Sequence, residues 1–152
     1  MADQSEPVQE PALVPGINLS DLVIKEAGSN KLSFIGCFQA FNFPQFPAQI
    51  GRFFASVAVT NLRGNPKELN ATCRLEVAGT GHVISSTNIK VQFATENPPL
   101  DPRMGIDLSF PFMNVRFPEA GRYSFVVLVD NEEVGRRNIE VSAITSAASP
   151  PV

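Results

Sequence analysis

Residues 69–77, LNATCRLEV, show most clearly what kind of structure this chain forms. Apolar residues occupy every second position from Leu69 to Val77, and polar residues occupy most of the positions between them. Side chains of a β-strand point alternately to the two faces of a sheet, so this pattern indicates a strand with one buried and one solvated face.

The same period of two recurs along the chain, whereas apolar residues nowhere follow helical spacing for more than a turn. In YSFVVLV, residues 123–129, the outer positions Val126 and Leu128 are apolar as well, which predicts a central strand or one covered on both faces. Turn-forming sequences such as GTG at 79–81 and PEAG at 118–121 separate the segments. The predicted strands are 20–27, 31–43, 52–60, 69–78, 82–93, 105–117, 121–130 and 133–143.

About eight short strands without helices predict a single antiparallel β-sandwich, immunoglobulin-like or C2-like in pattern. The first residues, 1–16, are rich in proline and acids and are expected to form a flexible arm. Residues 17–144 are expected to form the sandwich domain, and residues 145–152, TSAASPPV, a flexible tail.

The stretch FNFPQFPAQIGRFF, residues 41–54, contains five phenylalanines and two prolines. Because proline has no N–H to donate, a central-strand ladder cannot run through residues 44–47, and a corner is predicted at 43–51. Phe43 and Phe46 are expected to cap the open end of the core. The alternative, in which Phe43, Phe46 and Pro47 form a partner-binding patch, stays open.

In IDLSFPFMNVRF, residues 106–117, the apolar parity changes between Phe112 and Met113. A strand changes face only where it bends or gains a residue. Pro111 lacks the N–H that a regular ladder uses, so a bulge or kink is predicted beside Pro111.

The composition argues against several functional classes. The net charge is −3 and the Lys and Arg residues are scattered, so the concentrated basic face that nucleic acid requires is not expected. No segment is long and apolar enough for a membrane span, and the acids and prolines of MADQSEPVQEPALVPG do not suit a signal peptide. These features predict a cytoplasmic protein, or one incorporated in an assembly without a cleavable signal.

Few residues are candidates for chemistry. His82 is the only histidine and has no acid or cysteine at ligand spacing near it, so a turn position is favoured over a metal ligand or general base. Cys37 and Cys73 lie in predicted strands and are interpreted as buried free thiols. No nucleophile elbow, phosphate loop or dinucleotide fingerprint occurs, so neither catalysis nor a cofactor is expected.

If each strand crosses the sandwich once, the connections 94–104 and 130–133 share one end of the molecule. They contain oxygen ligands of the type that calcium uses in C2-like sandwiches: Glu96, Asp101, Asp130 and Glu132. Their spacing matches no calcium loop, and salt bridges and solvated turns are favoured over a metal site. The proline-rich loop that includes Pro98 and Pro99 is a candidate recognition loop.

The closing segment FPEAGRYSFVVLVDNEEVGRRNIEV, residues 117–141, resembles the last strands of immunoglobulin-like or C2-like sandwiches. Its Gly121-x-Tyr123-x-Phe125 pattern is similar to the tyrosine corner of such domains, in which the phenol bonds back across the turn. The disulfide cysteine and core tryptophan of antibody domains are absent. The resemblance therefore implies the sandwich architecture without a conventional antibody-type domain.

Residues 20–143 as a whole resemble an uncharacterised family of small bacterial proteins. The matching features are Asp21, the strand NKLSFIG at 30–36, the pair Phe46-Pro47, and the closing segment at 118–135. This resemblance implies a β-sandwich fold and no established activity.

These observations together predict a non-catalytic structural or protein-interaction sandwich, as a subunit of a larger assembly, with protein partners or self-association. The alternative is a ligand-binding module for calcium or a small ligand, at the loop end formed by 94–104 and 130–133.

Overall fold

The computed structural model describes residues 12–62, 64, 66–93, 99–101, 103 and 105–144. Nine β-strands and no helix are present in these residues. The strands are β1 (Ala12–Lys25), β2 (Leu32–Cys37), β3 (Phe41–Phe43), β4 (Ala48–Thr60), β5 (Glu68–Val77), β6 (Val83–Gln92), β7 (Ile106–Phe117), β8 (Gly121–Val129) and β9 (Glu132–Ala143).

The strands form two sheets that enclose one hydrophobic core. The four-stranded sheet has the order β2-β1-β4-β7, and the five-stranded sheet has the order β3-β9-β8-β5-β6. Neighbouring strands are antiparallel, with the exception of the parallel pair β3 and β9. The predicted all-β sandwich is confirmed, with a ninth strand and one parallel pair as corrections. Nothing in the described part of the chain is a helix that could cross a bilayer.

The ninth strand arises because the predicted strand 31–43 is divided between the two sheets. β2 pairs with β1 in one sheet, and β3 pairs with β9 in the other, so the chain changes sheets at residues 38–40. Phe38 lies at this crossing, with its ring 4.8 Å from that of Phe41 and 6.0 Å from that of Phe53. The sequence shows no break here because Phe38 and Ala40, on either side of Gln39, continue the alternation of apolar and polar residues.

β1 begins earlier than the predicted domain boundary. Its register against β4 starts at Ala12 opposite Thr60 and contains a bulge between Val14 and Asn18. Residues 12–16 therefore belong to the sandwich instead of the predicted flexible arm. The rest of that arm and the predicted tail at 145–152 lie outside the described residues.

The core contains the predicted alternating rows. In β5 the residues Leu69, Ala71, Cys73 and Leu75 are buried. β8 lies between β9 and β5, and Val126 on its outer face is fully buried, as the apolar outer positions of YSFVVLV predicted. Burying a large apolar side chain contributes about 1.5–3 kcal/mol, so these rows supply the main driving force for pairing the sheets.

β4 and β7 change face together while their register stays continuous from Val59 opposite Ile106 to Ala48 opposite Phe117. In β7 the buried positions shift from Phe112 to Val115. Between them Asn114 has a φ of 51°, a left-handed conformation that rotates the chain and that asparagine tolerates better than most residues. The kink predicted beside Pro111 therefore lies at Asn114 instead.

Pro111 has a different place in the fold. It lies in β7, the edge strand of the four-stranded sheet, where proline is compatible with pairing on one side. Its carbonyl accepts a hydrogen bond of 2.7 Å from the hydroxyl of Thr87 in β6, the edge strand of the other sheet. This bond ties the two sheets together along one edge of the sandwich.

Candidate functional site

The corner predicted at 43–51 is shorter, because β4 already begins at Ala48, and residues 43–47 close the core where β3 leads into β4. The rings of Phe43 and Phe46 meet edge-on at 5.9 Å, and Phe43 also lies 5.6 Å from Phe117. Both side chains are partly buried and pack against the core. Pro47 is exposed and follows a cis peptide bond. Phe43 and Phe46 thus cap the core, and only Pro47 is left largely open to a partner.

The tyrosine corner that the closing segment resembles is present. The hydroxyl of Tyr123 donates a hydrogen bond of 2.6 Å to the carbonyl of Glu119, and the ring meets Phe117 edge-on at 5.2 Å. Burial raises the pKa of Tyr123. Gly121 stands at the start of β8, opposite Val141 of β9. These residues hold the β7–β8 connection in place and have a structural role.

The structure brings the connection before β7 close to the connection between β8 and β9. Leu100 and the β8–β9 turn line a common hollow of about 220 Å³. Five of its lining residues are apolar and two are acidic. The lining residues are Leu62, Pro66, Leu69, Leu100, Val129, Asp130 and Glu132.

The acidic residues at this end are engaged in local structure. Asp101 accepts hydrogen bonds from the guanidinium of Arg103 at 2.8 and 3.1 Å, and this contact lowers the pKa of Asp101. Asp130 and Asn131 have φ angles of 48° and 69°, which suit a tight two-residue hairpin turn. Oδ1 of Asp130 accepts the N–H of Asn70 at 3.2 Å.

The residues that were predicted as calcium ligands or as parts of a recognition loop are therefore only partly brought together by the fold. Across the described ranges, no three His, Cys, Asp or Glu side chains are grouped as a metal site would require. Of the predicted residues, Asp130 and Glu132 share the hollow, whereas Asp101 does not line it. Pro99 is exposed, and Glu96 and Pro98 lie outside the described residues.

His82 and the two cysteines show no arrangement for catalysis. His82 is exposed in the β5–β6 turn, where its N–H donates to the hydroxyl of Thr80 at 3.3 Å. Cys73 is buried, and burial raises its pKa, which disfavours the nucleophilic thiolate. Cys37 is exposed, so the interpretation of both cysteines as buried thiols is wrong for Cys37.

The β1–β2 hairpin carries an exposed apolar surface that the sequence reasoning missed. The exposed fractions are 44% for Ile24, 37% for Phe34 and 49% for Ile35. Leu22 pairs with Ile35 and Val23 pairs with Phe34, so apolar side chains lie on both faces of the hairpin. The adjacent Phe34 and Ile35 were the available signal, because neighbouring residues of a strand point to opposite faces and are both buried only where both faces are covered.

β2 is also the terminal strand of its sheet, so one of its edges has no neighbouring strand among the described residues. Natural edge strands usually carry a charge, a proline or a bulge that prevents further pairing. The sequence of β2, LSFIGC, contains neither charge nor proline. The hairpin thus combines an apolar surface with an uncharged strand edge.

Two side chains of β2 lie over the outer face of the four-stranded sheet to which the hairpin belongs. Leu32 and Phe34 line a hollow of about 130 Å³ together with Ser56, Ala58 and Asp107 of β4 and β7. Ser56 is almost fully buried on this outer face, where its hydroxyl lies 2.9 Å from that of Ser109.

Comparisons with known proteins place the chain in a family without adding an activity. The model of a family described as "Family of unknown function (DUF6941)" matches residues 17–142. A comparison with curated protein sequences gives no match.

Several solved structures are similar in fold. An immunoglobulin-like protein of Pseudomonas aeruginosa is 12% identical, with 88% of this chain and 98% of that chain covered and a TM-score of 0.40. The alkylpurine DNA glycosylase AlkC of Pseudomonas fluorescens, bound to DNA containing an abasic site analog, is 17% identical, with 84% of this chain covered and a TM-score of 0.42. A β-glucosidase of Listeria innocua is 12% identical, with 83% of this chain covered and a TM-score of 0.40. The chain spans 30% of the glycosylase and 16% of the glucosidase, and at this level of similarity nothing about function follows.

Proposed function

Because the chain belongs to the DUF6941 family, whose function is unknown, we propose from its own surface that it is a non-catalytic protein-interaction domain, working as a subunit of a larger assembly. The contact surface is the β1–β2 hairpin. The observation that supports this proposal is the exposure of Ile24, Phe34 and Ile35 beside the free edge of β2.

Two kinds of contact favour binding at this hairpin. Apolar area removed from water contributes about 25 cal/mol per Å², and the three side chains lie on one small element. The free backbone groups of β2 can also pair with an added strand, which is a common way of recognising a protein partner. The partner is protein and not nucleic acid, because the net charge is −3 and β2 carries no basic residue.

Site-specific photo-crosslinking in host cells tests this function. A photoreactive phenylalanine analogue replaces Phe34, and the control carries it at Met113, which is 57% exposed in β7. We expect a discrete protein adduct from position 34 and none from position 113. Equal or absent adducts at both positions would count against the hairpin as a contact surface.

A second candidate function is the binding of a small ligand in the 220 Å³ hollow. Its five apolar lining residues, together with the acidic Asp130 and Glu132, suit a ligand with an apolar body and a cationic group. Bare calcium is disfavoured because Asp101 is paired with Arg103.

The melting temperature of the chain, measured with each ligand in turn, distinguishes binding of an organic cation from binding of calcium. For the second candidate we expect millimolar butylammonium to raise the melting temperature of the chain and to have less effect on Glu132→Gln, while calcium chloride has no effect. Stabilisation by calcium would replace this ligand class with a metal, and the absence of any shift would remove the second candidate.

A further inference from the structure

We infer that the partner recognised at the β1–β2 hairpin is a protein segment that inserts a lysine side chain into the hollow beside Phe34. This inference rests on the proposed function, because it names the chemistry of the partner at the same contact surface. The hollow has a volume of about 130 Å³, and its lining residues are Gly16, Asn18, Leu32, Phe34, Ser56, Val57, Ala58 and Asp107. Phe34 belongs both to this lining and to the exposed apolar surface, so a protein bound at the hairpin lies next to the hollow.

The hollow lies where the pairing of β1 with β4 is irregular. The register has a bulge between Val14 and Asn18, and Gly16 within this bulge has a φ of 134°, in the region that favours glycine. A bulge disrupts the ladder locally. A side-chain atom added to Gly16 would meet nothing within 4 Å, so the lining is open at this residue. The recess is thus associated with the backbone of β1.

The size of the hollow fits one side chain better than a separate ligand. Pockets for drug-sized ligands hold roughly 300–1,000 Å³. A group of the size of a water molecule takes roughly 30 Å³, so 130 Å³ holds about four such groups. The last three methylenes and the ammonium of a lysine have this size, and the ammonium is more compact than the planar guanidinium of arginine.

The lining suits both parts of a lysine side chain. Leu32 and Phe34 supply apolar surface, along which the methylenes can pack. The side chains of Asn18 and Ser56 supply oxygen atoms that can accept hydrogen bonds from the ammonium. The hydroxyl of Ser56 lies 2.9 Å from that of Ser109, and because a hydroxyl has two acceptor sites it can accept a further hydrogen bond.

The charge of the hollow favours a cation. Asp107 is the one charged residue among the described lining residues. Lys25 lies opposite Leu32 in the hairpin but does not line the hollow, and Asp107 forms no ion pair within the part of the chain that the structure describes. A lysine of the partner would therefore meet an unpaired carboxylate. Exposed ion pairs are weak, so the apolar contacts at the hairpin hold the partner while the ammonium selects it.

A nuclear magnetic resonance titration of the full chain tests the site. The probe is the amide of Nα-acetyl-lysine, and the matched control compound is the amide of Nα-acetyl-norleucine, which has an alkyl side chain without the ammonium. We expect the lysine compound to shift the backbone amide signals of Gly16, Ser56 and Ala58, and the norleucine compound to leave them largely in place.

Two variants test the role of the carboxylate. Asp107→Asn keeps the size of the side chain and removes its charge, and it is expected to raise the dissociation constant of the lysine compound about three- to tenfold. Glu140→Gln removes a charge from the other sheet, where Glu140 pairs with Arg122, and is expected to leave the dissociation constant unchanged. The amide spectrum of each variant verifies the fold. The inference is overturned by the absence of these shifts, by equal shifts with both compounds, or by an unchanged dissociation constant in Asp107→Asn.

The photo-crosslink at position 34 separates this inference from the proposed function. We expect Asp107→Asn to lower the yield of the protein adduct. An adduct of unchanged yield removes lysine as the recognised group and leaves the interaction function standing. The absence of an adduct in both backgrounds removes the interaction function, and with it the partner inferred from the hollow.

Discussion

Tyr123 shows how one side chain holds a connection between strands. Its ring is buried against Phe117 at the end of β7, while its hydroxyl reaches the carbonyl of Glu119 in the β7–β8 connection. This bond holds the chain between the edge strand β7 and the central strand β8, and such a hydrogen bond contributes about 0.5–1.5 kcal/mol. The resemblance of Gly121-x-Tyr123-x-Phe125 to a tyrosine corner implied a bond of the phenol back across the turn, and the structure shows it to Glu119.

Tyr123→Phe is expected to lower the free energy of unfolding by about 0.5–1.5 kcal/mol. The substitution keeps the buried ring and removes only the hydrogen bond to Glu119. Urea denaturation measures the change, and an unaltered dependence on urea concentration shows that the fold is retained. Full stability in this variant would mean that the bond contributes nothing to the fold.

Stability is expected to fall at alkaline pH because burial raises the pKa of both Cys73 and Tyr123. In the folded chain these groups keep their protons where the unfolded chain has lost them. Their contribution is complete below the unfolded pKa values, near 9 for cysteine and 10 for tyrosine, and is lost as the pH rises above them.

Each such group adds a slope of at most about 1.4 kcal/mol per pH unit. Urea titrations between pH 8 and pH 11 measure this slope. Tyr123→Phe should remove the part that begins near pH 10 and leave the part that begins near pH 9. The same profile in the wild type and the variant would contradict the assignment to Tyr123.

At the scale of the strand, β4 and β7 both change which of their faces is buried, while their residues stay paired in one continuous register. The turn is made at Asn114, whose left-handed conformation lies beside the exposed Met113. The change in apolar parity correctly predicted that β7 changes its buried face. The position predicted for this change, beside Pro111, lies three residues before the observed one at Asn114. Proline restricts pairing, whereas rotating the strand requires an unusual φ, and asparagine is one of the few residues that tolerate it.

Substitutions at Asn114 should follow the tolerance of each residue for positive φ. Asn114→Val is expected to destabilise the fold by about 1–2 kcal/mol, because a β-branched side chain clashes in the left-handed region. Asn114→Gly, the matched variant, should stay close to the wild type or exceed it slightly. Thermal or urea unfolding measures both, and equal losses in the two variants would point to the asparagine side chain instead of the backbone.

At the scale of the whole molecule, a chain of aromatic rings connects the corner at 43–47 with the centre of the core. Phe46 contacts Phe43, Phe43 contacts Phe41, and Phe41 lies 5.2 Å from Phe53. Phe53 in turn meets Phe125 of the opposite sheet edge-on at 5.9 Å. The corner is thus an extension of the core, so a substitution in the corner is expected to change the free energy of unfolding.

Alanine substitutions along this chain of rings should cost less towards its outer end. Phe41→Ala removes a buried ring and is expected to cost about 3–5 kcal/mol. Phe46→Ala removes a partly buried one and is expected to cost about 1–2 kcal/mol. Urea denaturation compares the two. A Phe46→Ala variant of unchanged stability would favour the partner-binding alternative for the corner.

Most of the architecture follows from local pattern. Alternation in segments such as LNATCRLEV predicted the strands, and the all-β sandwich and the uncharacterised family are confirmed. The errors share a cause. The pattern predicts a single strand over 31–43 because the alternation continues through the crossing at 38–40, and the same continuity conceals the edge strand β2.

The chain's own residues determined which side chains face inward, since a period of two is a property of each strand by itself. Only the tertiary structure decided which strands lie at the edges and which apolar residues stay in water. An edge is defined by the absence of a neighbour, and neighbours such as β3 and β9 are about a hundred residues apart. Exposure of Ile35 and of Cys37 therefore depends on the packing of two sheets, which local sequence does not encode.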